Sequence, residues 1–171
     1  MLVTIVPAVR AHLGAIPRIE QAAAALFPDA DLPAGLRYLV TDRETLEDAL
    51  RERRLWVAED RRHHAVGFAL ACVIDGVAHL DEMDVHPRHG RQGIGVRLLQ
   101  AVCDWAVLLG HDALTLVTFR HLPWNAPYYA RLGFTPVPAG EIGPEMRELL
   151  REESDAGLDG TKRIVMRRSL P

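Results

Sequence analysis

The sequence predicts an α/β (α+β) fold in one domain, built on a mixed sheet, and three observations carry that prediction. Asp75-Gly76 stands between two β-compatible runs, Ala65 to Ile74 and Val77 to Val85; this is the pattern of a type I′ hairpin, whose central residues both need positive φ. The next strand-like run, Ala113 to Thr118, is reached only through an apolar helical stripe, so strand, helix and strand form a parallel crossover. With 171 residues the chain suffices for one well-buried domain, since a chain of this size removes roughly 70% of its unfolded surface from water.

Each element has a local reason. Leu2 to Pro7 reads as a first strand, and Arg10 to Phe27 as an alanine-rich helix that Pro17 kinks or restarts. After the loop FPDADLPAGLRYL, Thr41 or Asp42 caps a second helix that carries Glu44 in its first turn, pairs Leu46 with Leu50 on one face, and ends near Arg53 or Arg54. Leu55 to Glu59 is a short strand and Asp60 to His64 a polar turn before the hairpin. Ile94, Leu98, Ala101, Trp105 and Leu108 form the apolar stripe of a helix ending near Gly110. Asn125 to Leu132 is helical with Gly133 as its C-cap, Phe134 to Val137 and Lys162 to Arg167 are final strands that pair with each other, and Pro144 to Glu153 is a helix between them. Residues 138–160 are thus a variable helix and loop within the single domain 1–171.

Composition narrows the function. A formal net charge of −3 excludes the concentrated positive field of a dedicated nucleic-acid binder. Two cysteines, Cys72 in a strand and Cys103 in a helix, read as buried apolar residues, so neither a disulfide framework nor a thiolate metal site is expected. The other histidines lack helix-face metal spacing, Arg147 to Glu153 reads as a solvated helical face, and Trp56 and Trp124 read as packing residues, with Trp124 also placed to line an acceptor cavity. No apolar run approaches the ~20 residues that span a bilayer and no signal peptide opens the chain, which places the protein in the cytoplasm.

The chemistry concentrates in HPRHGRQGIGVRLLQ, His86 to Gln100. A strand feeding a glycine turn into a helix presents unpaired backbone N–H groups at the positive end of the helix dipole, which suits a phosphate or pyrophosphate. Gly93 and Gly95 allow close approach and Arg88 and Arg91 supply charge-assisted hydrogen bonds. The turn contains neither GxxxxGK[ST] nor GxGxxG, so it is not a nucleotide-hydrolase loop or a dinucleotide fingerprint.

Val85, Pro87, Gly93, Ile94 and Gly95 make the turn resemble motif A of the GNAT N-acetyltransferase superfamily, a strand, V-x-P, [QR]-x-x-G-x-[GA], then a helix. It departs at Gly90, where that family usually carries Gln or Arg, so the cradle here relies on backbone N–H groups and on Arg88 or Arg91. Asn125 to Phe134, NAPYYARLGF, is similar to the family's later N…Y-x-x-x-G-F motif. The resemblance implies a mostly antiparallel sheet of six or seven strands splayed after the fourth, and acetyl-coenzyme A as co-substrate with no metal. It implies cofactor contacts from Met83, Asp84, Val85, Arg88, Arg91, Gln92, Gly93, Ile94, Gly95, Val96, Asn125 and Tyr129.

Acetyl transfer to an amine then needs a base and an acid. In HLDEMDV, side chains alternate, so His79 and Asp81 share one face and Glu82 and Asp84 the other. The resemblance offers His79, Asp81 and Glu82 as catalytic bases, and like-charge repulsion among the three carboxylates would raise their pKa values. Tyr129, four residues before Gly133, matches the family's general acid, with Tyr128 as a core-packing neighbour. The expected partners are a small amine or peptide acceptor, cationic in view of Asp29, Asp31, Asp81, Glu82 and Asp84, and a second copy of the chain in a homodimer; nucleic acid and membrane are not expected. The other reading is a coenzyme A sensor that keeps the fold without turnover.

Overall fold

The computed structural model describes residues 3–171. Leu2, where the predicted first strand starts, lies outside the described residues. One seven-stranded sheet runs in the order β1-β2-β3-β4-β5-β7-β6, with β1 Thr4–Pro7, β2 Leu55–Glu59, β3 Ala65–Ile74, β4 Val77–Val85, β5 Ala113–Phe119, β6 Thr135–Pro136 and β7 Arg163–Ser169. β4 and β5 pair in parallel, and the pairs β1–β2, β2–β3, β5–β7 and β6–β7 are antiparallel. Helices α1 Ile16–Ala24, α2 Arg43–Arg51, α3 Ile94–Leu108, α4 Ala126–Arg131 and α5 Pro144–Asp155 complete an α/β fold. The chain clusters into two compact units: one runs up to Ala71 and resumes over Asp81–Trp105, and the other comprises Cys72–Leu80 and Ala106–Pro171.

In the first unit, the helix expected over Arg10 to Phe27 divides. Arg10–His12 is a single 3-10 turn in which the His12 ring nitrogen accepts the Val9 N–H at 3.0 Å, and α1 starts afresh with Pro17 in its first turn, where a missing N–H costs nothing. Asp42 caps α2, accepting the Thr45 N–H at 2.9 Å, and α2 ends before Arg53, whose φ of 57° leaves the helix. Ile16 and Ile19 of α1 and Leu46 and Ala49 of α2 bury against Leu55, Val57, Phe68 and Leu70. Each fully buried large side chain here is worth about 1.5–3 kcal/mol. Trp56 packs edge-on against Trp105 with ring centroids 6.0 Å apart.

In the second unit, Asp75 (φ 51°) and Gly76 (φ 73°) form the two-residue turn predicted from their identity. β5 and β7 pair from Ala113↔Ser169 to Phe119↔Arg163. The two final strands pair as predicted, but β6 contributes only Thr135↔Arg167 and Pro136↔Met166, with the Val137 N–H donating to the Val165 carbonyl at 2.9 Å just beyond them. α5 exposes the Arg151–Glu148 and Arg151–Asp155 pairs, yet its Met146 is buried and its Glu153 binds Arg163, so it is more than a solvated face. Trp124 is 45% exposed in the loop before α4, not packed in the core as expected.

Candidate active site

The predicted phosphate turn is built within the first unit. β4 ends at Val85, Pro87–His89 form a 3-10 turn, and α3 begins at Ile94. Arg91 (φ 59°) and Gly93 (φ 73°) both take the left-handed conformation. Left-handed residues ahead of a helix turn successive N–H groups toward one side and form an anion-binding concavity, to which the helix dipole adds. Arg88, Arg91, Gln92, Gly93 and Val96 are exposed, while Ile94 is buried and anchors the first turn of α3. Gly90 has φ −61°, and a Cβ there would lie 3.2 Å from the Pro87 carbonyl oxygen. The position is therefore crowded by its own turn, which gives a local reason for glycine where the family usually has a longer side chain.

Beneath this turn, Gly67 of β3 makes room for β4. A Cβ at Gly67 would stand 2.9 Å from the Asp84 carbonyl oxygen, 3.2 Å from Val85 and 3.4 Å from Leu98 of α3. Asp84 is partly buried, and Asp81 and Glu82 are exposed. Burial, with the charge of Glu20 second, pushes the Asp84 carboxyl up to about 7. The expected mutual repulsion among the three strand carboxylates is thus not what acts on Asp84; its partner comes from α1.

Glu20 is a residue the sequence reading missed. It is buried, accepts hydrogen bonds from the Thr41 N–H (3.0 Å) and hydroxyl (2.6 Å), and burial raises its own pKa. The available signal was its spacing: Ile16, Ile19, Glu20 and Ala23 are the buried stripe of α1, so a carboxylate occupies a core position of that helix.

The second unit holds the remaining candidates. His79 is 2% exposed, its Nδ1 lies 2.9 Å from the Thr115 hydroxyl, and burial lowers its pKa to about 4. Burial keeps it neutral at pH 7 and closed to solvent beside Thr115. His79↔Thr115 is a register pair of the parallel β4–β5 ladder, and one alternation rule could not tell the buried His79 from the exposed Asp81 two residues on. Tyr129 is buried, edge-on to Tyr128 at 5.3 Å and to Phe134 at 5.6 Å. Tyr128, expected to be the core packer, is the less buried of the two and has the Arg131 guanidinium 6.0 Å from its ring.

Asn125 precedes α4 without a side-chain capping bond, and its buried Oδ1 has no hydrogen-bond partner. A buried unpaired acceptor is costly. It fits a donor brought by a ligand, and the amide N–H groups of a pantetheine arm are such donors. Among the described residues no group of three or more His, Cys, Asp or Glu could hold a metal ion, and no helix is long and apolar enough to cross a membrane.

A mixed sheet whose fourth strand runs into a nest of N–H groups at the start of a long helix, flanked by arginines, is an arrangement whose chemistry suits a phosphorylated ligand. The chain belongs to the acetyltransferase (GNAT) family, whose model matches residues 16–134. The fold is shared with N-acetylglutamate synthase from Neisseria gonorrhoeae, solved with coenzyme A and N-acetyl-glutamate (TM-score 0.71, 22% identity). That match covers 100% of this chain but 36% of the synthase, so the chain spans about a third of that protein's length. An acetyltransferase of the GNAT family from Staphylococcus aureus Mu50 matches with TM-score 0.70 at 17% identity, over 99% of this chain and 100% of that one. The ribosomal-protein-S18-alanine N-acetyltransferase of Escherichia coli matches with TM-score 0.65 at 22% identity, over 99% and 94%.

Proposed function

We propose that the chain transfers an acetyl group from acetyl-coenzyme A to a primary amine of a small molecule, amino acid or peptide, by direct attack with both substrates bound. The observation that carries this reading is the nest at Arg91 and Gly93 ahead of α3, in a chain of the acetyltransferase family. In it, the N–H groups of Gly93 to Val96 and the side chains of Arg88, Arg91 and Gln92 hold the pyrophosphate. The backbone of Met83 to Val85 and the Asn125 amide hold the pantetheine arm.

An alkyl amine of pKa near ~10.4 must lose a proton before it attacks, at a cost of about 4–5 kcal/mol at neutral pH. Asp81 and Glu82, the exposed carboxylates of β4, are the groups we assign to that proton, directly or through water. The amine lone pair forms the N–C bond, the carbonyl takes up the charge against the Met83 N–H, and the C–S bond then breaks with its electron pair on sulfur. The Tyr129 hydroxyl gives its proton to the departing thiolate, and the proton that the new N–C nitrogen must still lose returns to the tyrosine oxygen, leaving a neutral amide and the coenzyme A thiol. Neither cysteine enters the scheme: Cys103 is buried and Cys72 partly so.

Coenzyme A thiol release measured against a panel of amines tests the reading. Saturable release with at least one cationic amine is expected, and Tyr129→Phe should lower kcat roughly hundredfold with KM for acetyl-coenzyme A little changed. Failure to bind acetyl-coenzyme A would overturn the proposal, and full activity of Tyr129→Phe with chemistry rate-limiting would remove the acid role.

A further inference from the structure

The second unit has a cavity of its own, of about 260 Å³, between the β6–β7 edge and the segment that carries α5. Its apolar wall includes Val137, Ile142, Leu150 and Ile164, and two arginines, Arg120 and Arg163, border it. The arginines differ in what they have left to offer. Arg163 is committed: its guanidinium meets the Glu153 carboxylate at 2.9 and 2.6 Å, its side chain is 11% exposed, and it stacks 4.6 Å above the Phe119 ring. The negative charge of Glu153 is spent in the same pair.

Arg120 is held in place without being neutralised. Its backbone N–H donates to the Lys162 carbonyl at 2.7 Å and its Nη2 to the Arg163 carbonyl at 3.1 Å, and among the described residues no carboxylate pairs with it. A guanidinium carries five N–H donors, and carbonyl bonds leave its charge intact. An anchored, uncompensated cation at the border of an apolar hollow is complementary to an amphipathic anion. The volume falls just below the roughly 300–1,000 Å³ of pockets for larger ligands, which suits a molecule of amino-acid size.

We propose that this cavity binds a small aliphatic carboxylate, with its hydrocarbon against Val137, Ile142, Leu150 and Ile164 and its carboxylate on Arg120. The site depends on neither acetyl-coenzyme A nor turnover. It is tested on the full chain by calorimetric titration with hexanoate, with hexanamide and hexylamine as the neutral and cationic counterparts.

Saturable hexanoate binding at millimolar concentration, tighter than either counterpart, is expected. Arg120→Gln should weaken hexanoate about tenfold, the loss of one charge-assisted contact, and leave hexanamide unchanged. Ala139→Trp, which fills the cavity from its wall, should abolish binding of both while the thermal melt stays cooperative. Absence of hexanoate binding, hexylamine binding as tightly, or unchanged hexanoate affinity in Arg120→Gln would each overturn the proposal.

Discussion

Arg91 holds a φ of 59°, a conformation that costs a residue with a Cβ about 1 kcal/mol or more. The chain bears that cost at the turn where the proposed pyrophosphate lies, and two consequences can be separated. Arg91→Gly should raise the unfolding free energy by up to about 1 kcal/mol in urea titration, because glycine takes positive φ without strain. The same change should weaken coenzyme A binding about tenfold, through loss of the guanidinium contact. Gain of affinity alongside gain of stability would show that the side chain does not serve the phosphate. The turn that carries Arg91 and Gly93 was legible from its place between strand and helix. The buried state of Tyr129 was not, since the register of NAPYYARLGF marks the tyrosine without stating which neighbours stack on it.

At the scale of elements, the hairpin turn does two jobs. Asp75 supplies positive φ to the turn and also sends its carboxylate to the start of α5, accepting the Glu145 and Met146 N–H groups at 3.0 Å each. Glu145 returns the bond to the Asp75 N–H, so a capping exchange is completed between residues 70 positions apart. Gly143 is the space that exchange needs: a Cβ there would fall 2.2 Å from the Asp75 carboxylate. Asp75→Gly preserves the turn and deletes only the cap, so a loss of about 1–2 kcal/mol is expected. Gly143→Ala should cost a comparable amount, and the double variant should cost clearly less than the sum, as measured by a double-mutant cycle. Strict additivity would mean that the cap is not shared. Asp-Gly announced the turn because that signal is local; the capping of α5 is long-range and left no trace in the flanking residues.

Across the whole molecule, two titratable groups shifted by desolvation pull stability in opposite directions with pH. Asp84 has a pKa near 7 when folded against an ordinary 3.8, so its contribution is fully present below about 3.8 and is lost as pH rises through 7. Glu20, also raised by burial, acts in the same sense. His79 has a pKa near 4 when folded against an ordinary 6.5, so its contribution is fully present above about 6.5 and is lost as pH falls through 4. Between roughly pH 4 and 6.5 the Asp84 and His79 slopes oppose each other, each up to about 1.4 kcal/mol per pH unit. Asp84→Asn should therefore make stability rise with pH more steeply than in the parent chain over that window, and His79→Gln should make it fall more steeply. Urea unfolding at several pH values checks both, and parallel curves for parent and variants would show that neither group is shifted.

The sequence by itself determined what depends on neighbours along the chain. The hairpin follows from two residues that accept positive φ, the helix stripes from periodic apolar positions, and the nest before α3 from a glycine turn between strand and helix. The tertiary structure alone decided burial and pairing: that His79 is sealed against Thr115, that burial and then Glu20 on α1 shift Asp84, that Asp75 caps α5, and that Arg163 is paired with Glu153 while Arg120 borders an apolar hollow on carbonyl bonds. The physical reason is the range of the forces. Backbone conformation is set within a few residues, whereas desolvation and pairing depend on which distant segments the fold brings into contact.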